Sequence, residues 1–226
     1  MLEWRRSLRL LGGTLVAPHE TFAALGDEPP VSASLVLLGL ASAALLLLQA
    51  ASLEPVLQAD PLVADLPAAR DAAVHSLRWI RVVLALLAPL GLALRCVALA
   101  AALAALRDIA GGRGSWKRDL GLVVHLESIF LLESLCLTFL ILVARPESYT
   151  AARELRLRAG LDLFVQPESP LLAAALSAVN VFVVWWGVLL VRGVARLSGI
   201  SGRSATLVAA PVWLAAVALR FFLQSR

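Results

Sequence analysis

The chain has 226 residues, of which 60% are hydrophobic and 16% are charged, with a mean hydropathy of +0.85 and a net charge of +4. Soluble domains average about 45–50% apolar and about 25% charged residues, so this composition excludes an ordinary water-soluble globule and indicates an integral membrane protein. The basic residues lie at the ends of apolar runs, which favours anionic membrane lipids over nucleic acid as the partner of the positive charge.

The N-terminal segment, residues 1–30, precedes the first apolar run. Pro18 suits the first position of a short second helix there. Before Pro18, the sequence predicts an amphipathic helix that lies on the membrane surface. Its apolar residues recur near helical spacing and have arginines beside them; they are Trp4, Leu8, Leu11 and Leu15. We expect residues 1–30 to be a cytoplasmic interfacial segment, followed by a membrane domain over residues 31–226.

Five apolar runs are long enough to cross a bilayer, whose core of about 30 Å takes roughly 20 residues in a helix. Because backbone polar groups in lipid must be satisfied within the segment, each run is predicted to be a helix. The sequence therefore predicts an all-α, five-transmembrane-helix bundle with spans at about residues 31–53, 80–106, 120–144, 171–191 and 205–223.

The two long connections, residues 54–79 and 145–170, also contain helical patterns. The stretch after Pro67 can extend the second span outward. The later connection holds AARELRLRAG, which predicts an extracytoplasmic surface helix that a glycine ends. Within the spans, Gln49 and Asn180 are candidates for hydrogen bonds between helices.

The distribution of Lys and Arg predicts the orientation of the chain. The N-terminus and the two short connections, residues 107–119 and 192–204, are denser in basic residues than the two long connections. This asymmetry favours a cytoplasmic N-terminus and an extracytoplasmic C-terminus.

The stretch RDIAGGRGSWKRDLG, from Arg107 to Gly121, looks at first like a phosphate-binding loop. It lacks the GxxxxGK[ST] order of a Walker A motif, and a membrane helix stands where a strand is needed. We interpret Gly111 and Gly112 as the end of the second span, and Ser115 as the cap of the third. The loop is a candidate contact site for headgroups or a partner through Arg113, Ser115, Trp116, Lys117 and Arg118.

Ionisable side chains inside the spans are the other candidates for function, because they are costly in lipid. They form a predicted intramembrane polar cluster of Arg95, His125, Glu127 and Glu133. Matching depth along the two spans suggests an ion pair between Arg95 and Glu133. Two interpretations remain open, a structural cluster that fixes helix pairing and a proton or ion pathway. The residues make a poor metal site, and no cofactor is indicated.

The order of several short motifs resembles the bacterial branch of the Yip family, which is related to the eukaryotic Ypt/Rab-interacting proteins. The stretches that carry the resemblance are LVAPHETFAAL, AGGRGSWKRDLGLVVHLES, GLDLF and NVFVVWWGVLLVRGVARLSGIS. The resemblance covers nearly the whole chain and implies five transmembrane helices with a cytoplasmic N-terminus. The eukaryotic members are adaptors in membrane traffic, but their DLYGP-type signature is absent from this sequence. The resemblance assigns no catalytic residue.

The sequence contains no Ser-His-Asp, nucleotide-loop or zinc-protease motif. We therefore expect a non-catalytic scaffold or partner-binding protein of the bacterial inner membrane, with contacts to anionic lipids and to a membrane-protein partner or a second copy of itself. The alternative is a small transporter, channel or lipid-moving protein that uses the charged interior of the second and third spans.

Overall fold

The computed structural model describes residues 2–26, 28–58, 67–143, 165 and 169–224. The regular structure of these residues is helical, which confirms the predicted all-α class. In chain order the helices are α1 (Leu2–Val16), α2 (Pro18–Leu25), α3 (Val31–Gln58), α4 (Pro67–Ile109), α5 (Trp116–Val143), α6 (Pro170–Ala178), α7 (Val181–Ser198) and α8 (Gly202–Gln224).

Five of these helices contain segments that are long and apolar enough to span a membrane, as the sequence predicts. Within the described part of the chain the segments are Val31–Gln49, Arg78–Ile109, Trp116–Val143, Val181–Ser198 and Gly202–Phe222. The predicted helical extension of the second span after Pro67 is confirmed, because α4 begins at Pro67 and runs for 43 residues. The predicted surface helix in residues 145–170 lies outside the described residues.

The fourth predicted span, residues 171–191, differs from the observed helices. The chain forms α6, breaks at Val179 and Asn180, and begins again as α7. The break follows from the chemistry of Asn180, whose side-chain oxygen accepts a hydrogen bond from the Val183 amide at 2.9 Å and so caps α7. Hydropathy does not register a cap inside an apolar run, so the prediction merged two helices and ended the second one too early.

The described residues fall into two compact units. The first comprises Met1–Leu35, Ala93–Phe130 and Arg158–Arg226. In it α1 packs on α2, α2 on α7, and α8 on both α6 and α7. Its core consists mainly of large, buried apolar side chains, which include Phe22, Leu103, Leu126, Trp186 and Leu190.

The second unit comprises Val36–Leu92 and Leu131–Leu157. In this unit α3 approaches α4 closely, because a Cβ atom on Gly39 would stand only 2.8 Å from the Cβ of Pro89. Gln49 of α3 donates to the Thr138 hydroxyl of α5 at 2.8 Å and to the Ser134 carbonyl at 3.3 Å. The predicted interhelical role of Gln49 is therefore confirmed.

Candidate functional site

The candidate site lies in the first unit, where the end of α4 turns into the start of α5. Gly111 ends α4 in the left-handed conformation with φ of +71°, which glycine adopts without a steric penalty. Ser115 begins α5, because its carbonyl accepts from the amides of Arg118 and Asp119 at 3.0 and 3.2 Å. Next to the turn the two helices are neighbours, because Arg107 of α4 contacts Asp119 of α5.

The interior of this turn holds a charged pair that the sequence analysis missed. The Arg107 guanidinium donates to the carboxylate of Asp119, and both side chains are almost fully buried. A second carboxylate, that of the exposed Asp108, accepts from Arg107 Nη2 at 2.7 Å. The sequence does contain an indication of this pair, because residues of opposite charge stand at the two ends of the glycine-rich loop.

The loop backbone lies directly on the Arg107 side chain, which explains two of the loop's glycines. A Cβ atom on Gly112 would stand 2.7 Å from Arg107 Cγ, and one on Gly114 would stand 2.8 Å from Arg107 Nη1. Glycine at these positions lets the loop close over the guanidinium. The GGRG sequence thus encloses an internal arginine.

The same loop docks against the end of α7. The Arg113 amide donates to the Ser198 carbonyl at 3.1 Å. Gly112 also lies beside Ile200, which follows the left-handed Gly199 at the end of that helix. The two short basic connections therefore lie side by side in the first unit. Apart from the half-buried Arg118, the candidate contact residues are exposed: Arg113, Ser115, Trp116 and Lys117.

His125 of α5 is fully buried and links two helices. Its Nδ1 lies 2.7 Å from the Gly121 carbonyl, and its Nε2 lies 3.3 Å from the Ser34 hydroxyl of α3. Because a carbonyl oxygen only accepts, Nδ1 carries the hydrogen, and in the neutral ring Nε2 accepts from Ser34. These contacts satisfy both ring nitrogens with groups of the protein itself.

Arg95 of α4 pairs with Glu127 of α5. Arg95 Nη2 lies 3.1 Å from Glu127 Oε1, and the guanidinium lies over the Phe130 ring, 4.6 Å from its centroid. The Glu127 side chain is 3% exposed and that of Arg95 is 34% exposed. The Nη2–Oε1 contact lacks the angles of a hydrogen bond, so charge attraction and the aromatic face hold the pair.

The expected pair of Arg95 with Glu133 is therefore replaced by a pair with Glu127. Arg95 lies 12 residues before Arg107, whereas Glu127 lies only 8 residues after Asp119. The difference of four residues is about 6 Å of helix rise, a gap that an extended arginine side chain can bridge. The number of residues along each helix gives the level of a Cα atom, but the contact also depends on the length and direction of the side chain.

Of the predicted polar cluster, the structure brings Arg95 and Glu127 together in the first unit, where His125 contacts Ser34 on another face of α5. Glu133 is half-buried and belongs to the second unit, and its place in the cluster stays a prediction. Phe130, which stands beneath Arg95, also packs at 5.9 Å between ring centroids on the buried Trp186 of α7. In the described ranges, no group of three or more His, Cys, Asp or Glu side chains could hold a metal ion.

Comparison with protein families gives a match to the Yip1 domain over residues 12–223. The chain belongs to the Yip1 family. The match begins inside α1 and ends near the C-terminus of α8, so it includes all five spanning helices and the loop enclosing Arg107. Comparisons with curated proteins and with solved structures give no significant match. The family resemblance seen in the sequence is confirmed, and this Yip1-family chain is a multi-pass membrane protein.

Proposed function

We propose that this Yip1-family protein is a non-catalytic scaffold that binds other components of its membrane. The observation that carries the proposal is that the buried Arg, Asp, Glu and His side chains in the described part of the first unit contact other groups of the same unit. Arg107 binds Asp119, Glu127 binds Arg95, and His125 binds Ser34 and the Gly121 carbonyl. Polar groups used in this way fix helix pairing, whereas a catalytic or transport site leaves such groups facing its substrate.

The membrane-facing partner surface in this proposal is the span in α4. Most of its apolar side chains are exposed, including Leu86, Leu90 and Leu94. Such a face packs equally well against lipid chains and against another membrane helix. It therefore suits a membrane-protein partner or a second copy of the chain.

The headgroup surface in this proposal is the loop that encloses Arg107, with its basic side chains on the cytoplasmic side of a bacterial inner membrane. Arg113 and Lys117 are exposed beside Trp116, whose ring suits the headgroup layer. Anionic lipids attract such residues by about 1 kcal/mol for each basic side chain near the surface. The glycines pack on Arg107, and these side chains are exposed on the outer surface of the turn.

A flux assay distinguishes the scaffold from the alternative of a transporter, channel or lipid-moving protein. The purified protein is reconstituted in vesicles, and the passage of protons, small ions and labelled lipid is compared with protein-free vesicles. We expect no added flux from the wild type. Flux that disappears in Glu127→Gln or Glu133→Gln, but persists in the surface control Arg203→Gln, would establish the alternative and refute the proposal.

Photocrosslinking tests the partner surface directly. A photoreactive residue at Leu90 should give crosslinked products of defined mass in native membranes, because the side chain is exposed on α4. The same residue at Leu122, which is buried in the first unit, should give none. Equal yields at the two positions would contradict a partner surface on α4.

A further inference from the structure

Helix α1 has three distinct faces, although the sequence predicts only two. One face is buried in the first unit and consists of Ser7, Leu10, Leu11 and Thr14. Leu11, which the sequence analysis assigned to the membrane-facing stripe, is part of this protein-facing side. The helix is therefore held on the protein before any lipid is considered.

The second face of α1 is an exposed apolar stripe formed by Trp4, Leu8 and the half-buried Leu15. At about 100° of rotation per residue, these three side chains lie within about 40° of one another around the helix. Trp4 is 44% exposed and Leu8 is 58% exposed. No residue of the described chain covers the outer part of this stripe, although it adjoins the buried face.

The third face of α1 is basic. Arg5 and Arg9 are exposed and lie about 60–100° around the helix from Leu8. Arg6 is directed elsewhere, because its Nη2 donates to the Ala24 carbonyl of α2 at 3.5 Å. The edge of the apolar stripe is thus bordered by two cationic side chains.

From these faces we infer that α1 is a membrane-surface element whose Trp4–Leu8–Leu15 stripe enters one leaflet while Arg5 and Arg9 bind the phosphates of anionic lipids. This inference rests on the lipid contact in the proposed function and assigns it to a second, separate element. In this arrangement one face of α1 packs on the other helices of the first unit, and another face contacts the leaflet.

The size and charge of the stripe favour lipid over a protein partner. A stable protein interface takes about 20–30 residues on each side, far more than these three side chains supply. An interfacial helix needs only to place an apolar face about 5–10 Å into the headgroup and acyl boundary, with basic residues beside it. A leaflet is also present wherever the five spans of this chain are inserted.

The test measures the depth of α1 in vesicles with the full-length protein. A single cysteine is introduced by Leu8→Cys in a background carrying Cys96→Ala and Cys136→Ala, and it is labelled with a fluorophore sensitive to polarity. The matched control is His19→Cys on the exposed surface of α2. Vesicles contain phosphatidylcholine with or without phosphatidylglycerol, and quenching by a lipid-borne quencher is compared with quenching by iodide.

We expect the Leu8 label to be quenched mainly from the lipid and the His19 label mainly by iodide. Replacing Arg5 and Arg9 by Gln should lower the ratio of inserted to released label by about 30-fold in the anionic vesicles, since each basic side chain contributes about 1 kcal/mol there. Size-exclusion elution of each variant confirms that the bundle is folded.

Two results would overturn the inference. Iodide quenching of the Leu8 label equal to that of the His19 label would show that the stripe faces water. A Leu8 label shielded from both quenchers would show that protein covers the stripe. Either result leaves the flux assay of the scaffold proposal unaffected, so the two proposals fail separately.

Discussion

The buried charges described in the first unit contact side chains of opposite charge, and the choice of these partners is the feature that the sequence predicts least well. Composition is enough to identify Arg95 and Glu127 as intramembrane charges, because each interrupts an apolar run. Choosing between Glu127 and Glu133 as the partner of Arg95 depends on side-chain length and direction, which spacing alone does not contain. Ser34, the partner of His125, carries no charge and gave no signal at all.

The coupling between Arg95 and Glu127 is the first prediction at this scale. A double-mutant cycle with Arg95→Met and Glu127→Gln should give a coupling of about 0.5–3 kcal/mol, as expected for residues in contact. Unfolding in detergent, followed by circular dichroism, provides the free energies. The same cycle with Glu133→Gln is the control and should give additive effects. Coupling to Glu133 instead would show that the observed pair is wrong.

The pair of Arg107 with Asp119 should contribute more to the free energy of unfolding than the pair of Arg95 with Glu127, because both of its side chains are almost fully buried. Asp119→Asn leaves the buried Arg107 guanidinium with only the exposed Asp108 carboxylate, and breaking a buried pair in this way typically costs about 3–5 kcal/mol. The double variant Arg107→Met/Asp119→Leu removes both charges and should be less destabilised than the single one. Asp108→Asn changes the exposed partner of Arg107 and should cost less than about 1 kcal/mol. The order of melting temperatures checks all three.

The helix ends show which element-scale features can be read from sequence. Gly111 and Ser115 were identified correctly as the end of α4 and the start of α5, because glycine and serine have local preferences that tertiary contacts do not override here. Asn180 was misplaced inside a span for the opposite reason. Its neighbours are apolar on both sides, so the hydropathy of the run concealed a helix cap.

The cap at Asn180 can be tested by substitution. Asn180→Ala removes the acceptor for the Val183 amide and should destabilise the protein by about 1 kcal/mol. Asn180→Ser keeps a neutral acceptor at the same position and should restore part of the loss in melting temperature. An alanine variant as stable as the wild type would show that this cap contributes nothing to stability.

The contact between α5 and α7 depends on the absence of a side chain at Gly193. A Cβ atom there would overlap the side chain of Leu122, so Gly193→Ala should cost about 1–3 kcal/mol through overpacking. Gly12→Ala in α1 is the matched control, because a Cβ at Gly12 meets no atom within 4 Å. It should raise stability by up to about 1 kcal/mol through helix propensity. Thermal unfolding of the two variants should therefore shift in opposite directions.

For the whole molecule, hydropathy identifies the five spans because the bilayer allows few alternatives to an apolar helix. The division of the described residues into two units is not visible in the sequence, since α3, α4 and α5 each contribute residues to both. The side-by-side arrangement of the two short basic connections agrees with their predicted placement at one end of the bundle. Which side of the membrane that end faces still rests on the distribution of Lys and Arg.

Cysteine accessibility can decide this orientation. Single cysteines at Arg113 and Arg203 mark the short connections, and one at Val165 marks the long connection before α6; all three positions are exposed. In intact bacterial cells, a membrane-impermeant maleimide should label Val165→Cys, whereas Arg113→Cys and Arg203→Cys should react only after permeabilisation. The physical reason is that the basic connections resist translocation across the membrane during insertion.

Two comparisons make this orientation experiment decisive. Leu122→Cys, in the buried core, should stay unlabelled in both conditions and reports on folding. Replacing Arg113, Lys117 and Arg118 together by Gln should weaken the preference of this connection for the cytoplasmic side. The labelling pattern should then be mixed, because the charge asymmetry between the two sides is smaller. Labelling of Arg113→Cys and Arg203→Cys in intact cells would reverse the orientation. It would also move the proposed headgroup contacts to the outer leaflet, while leaving the internal ion pairs as they are.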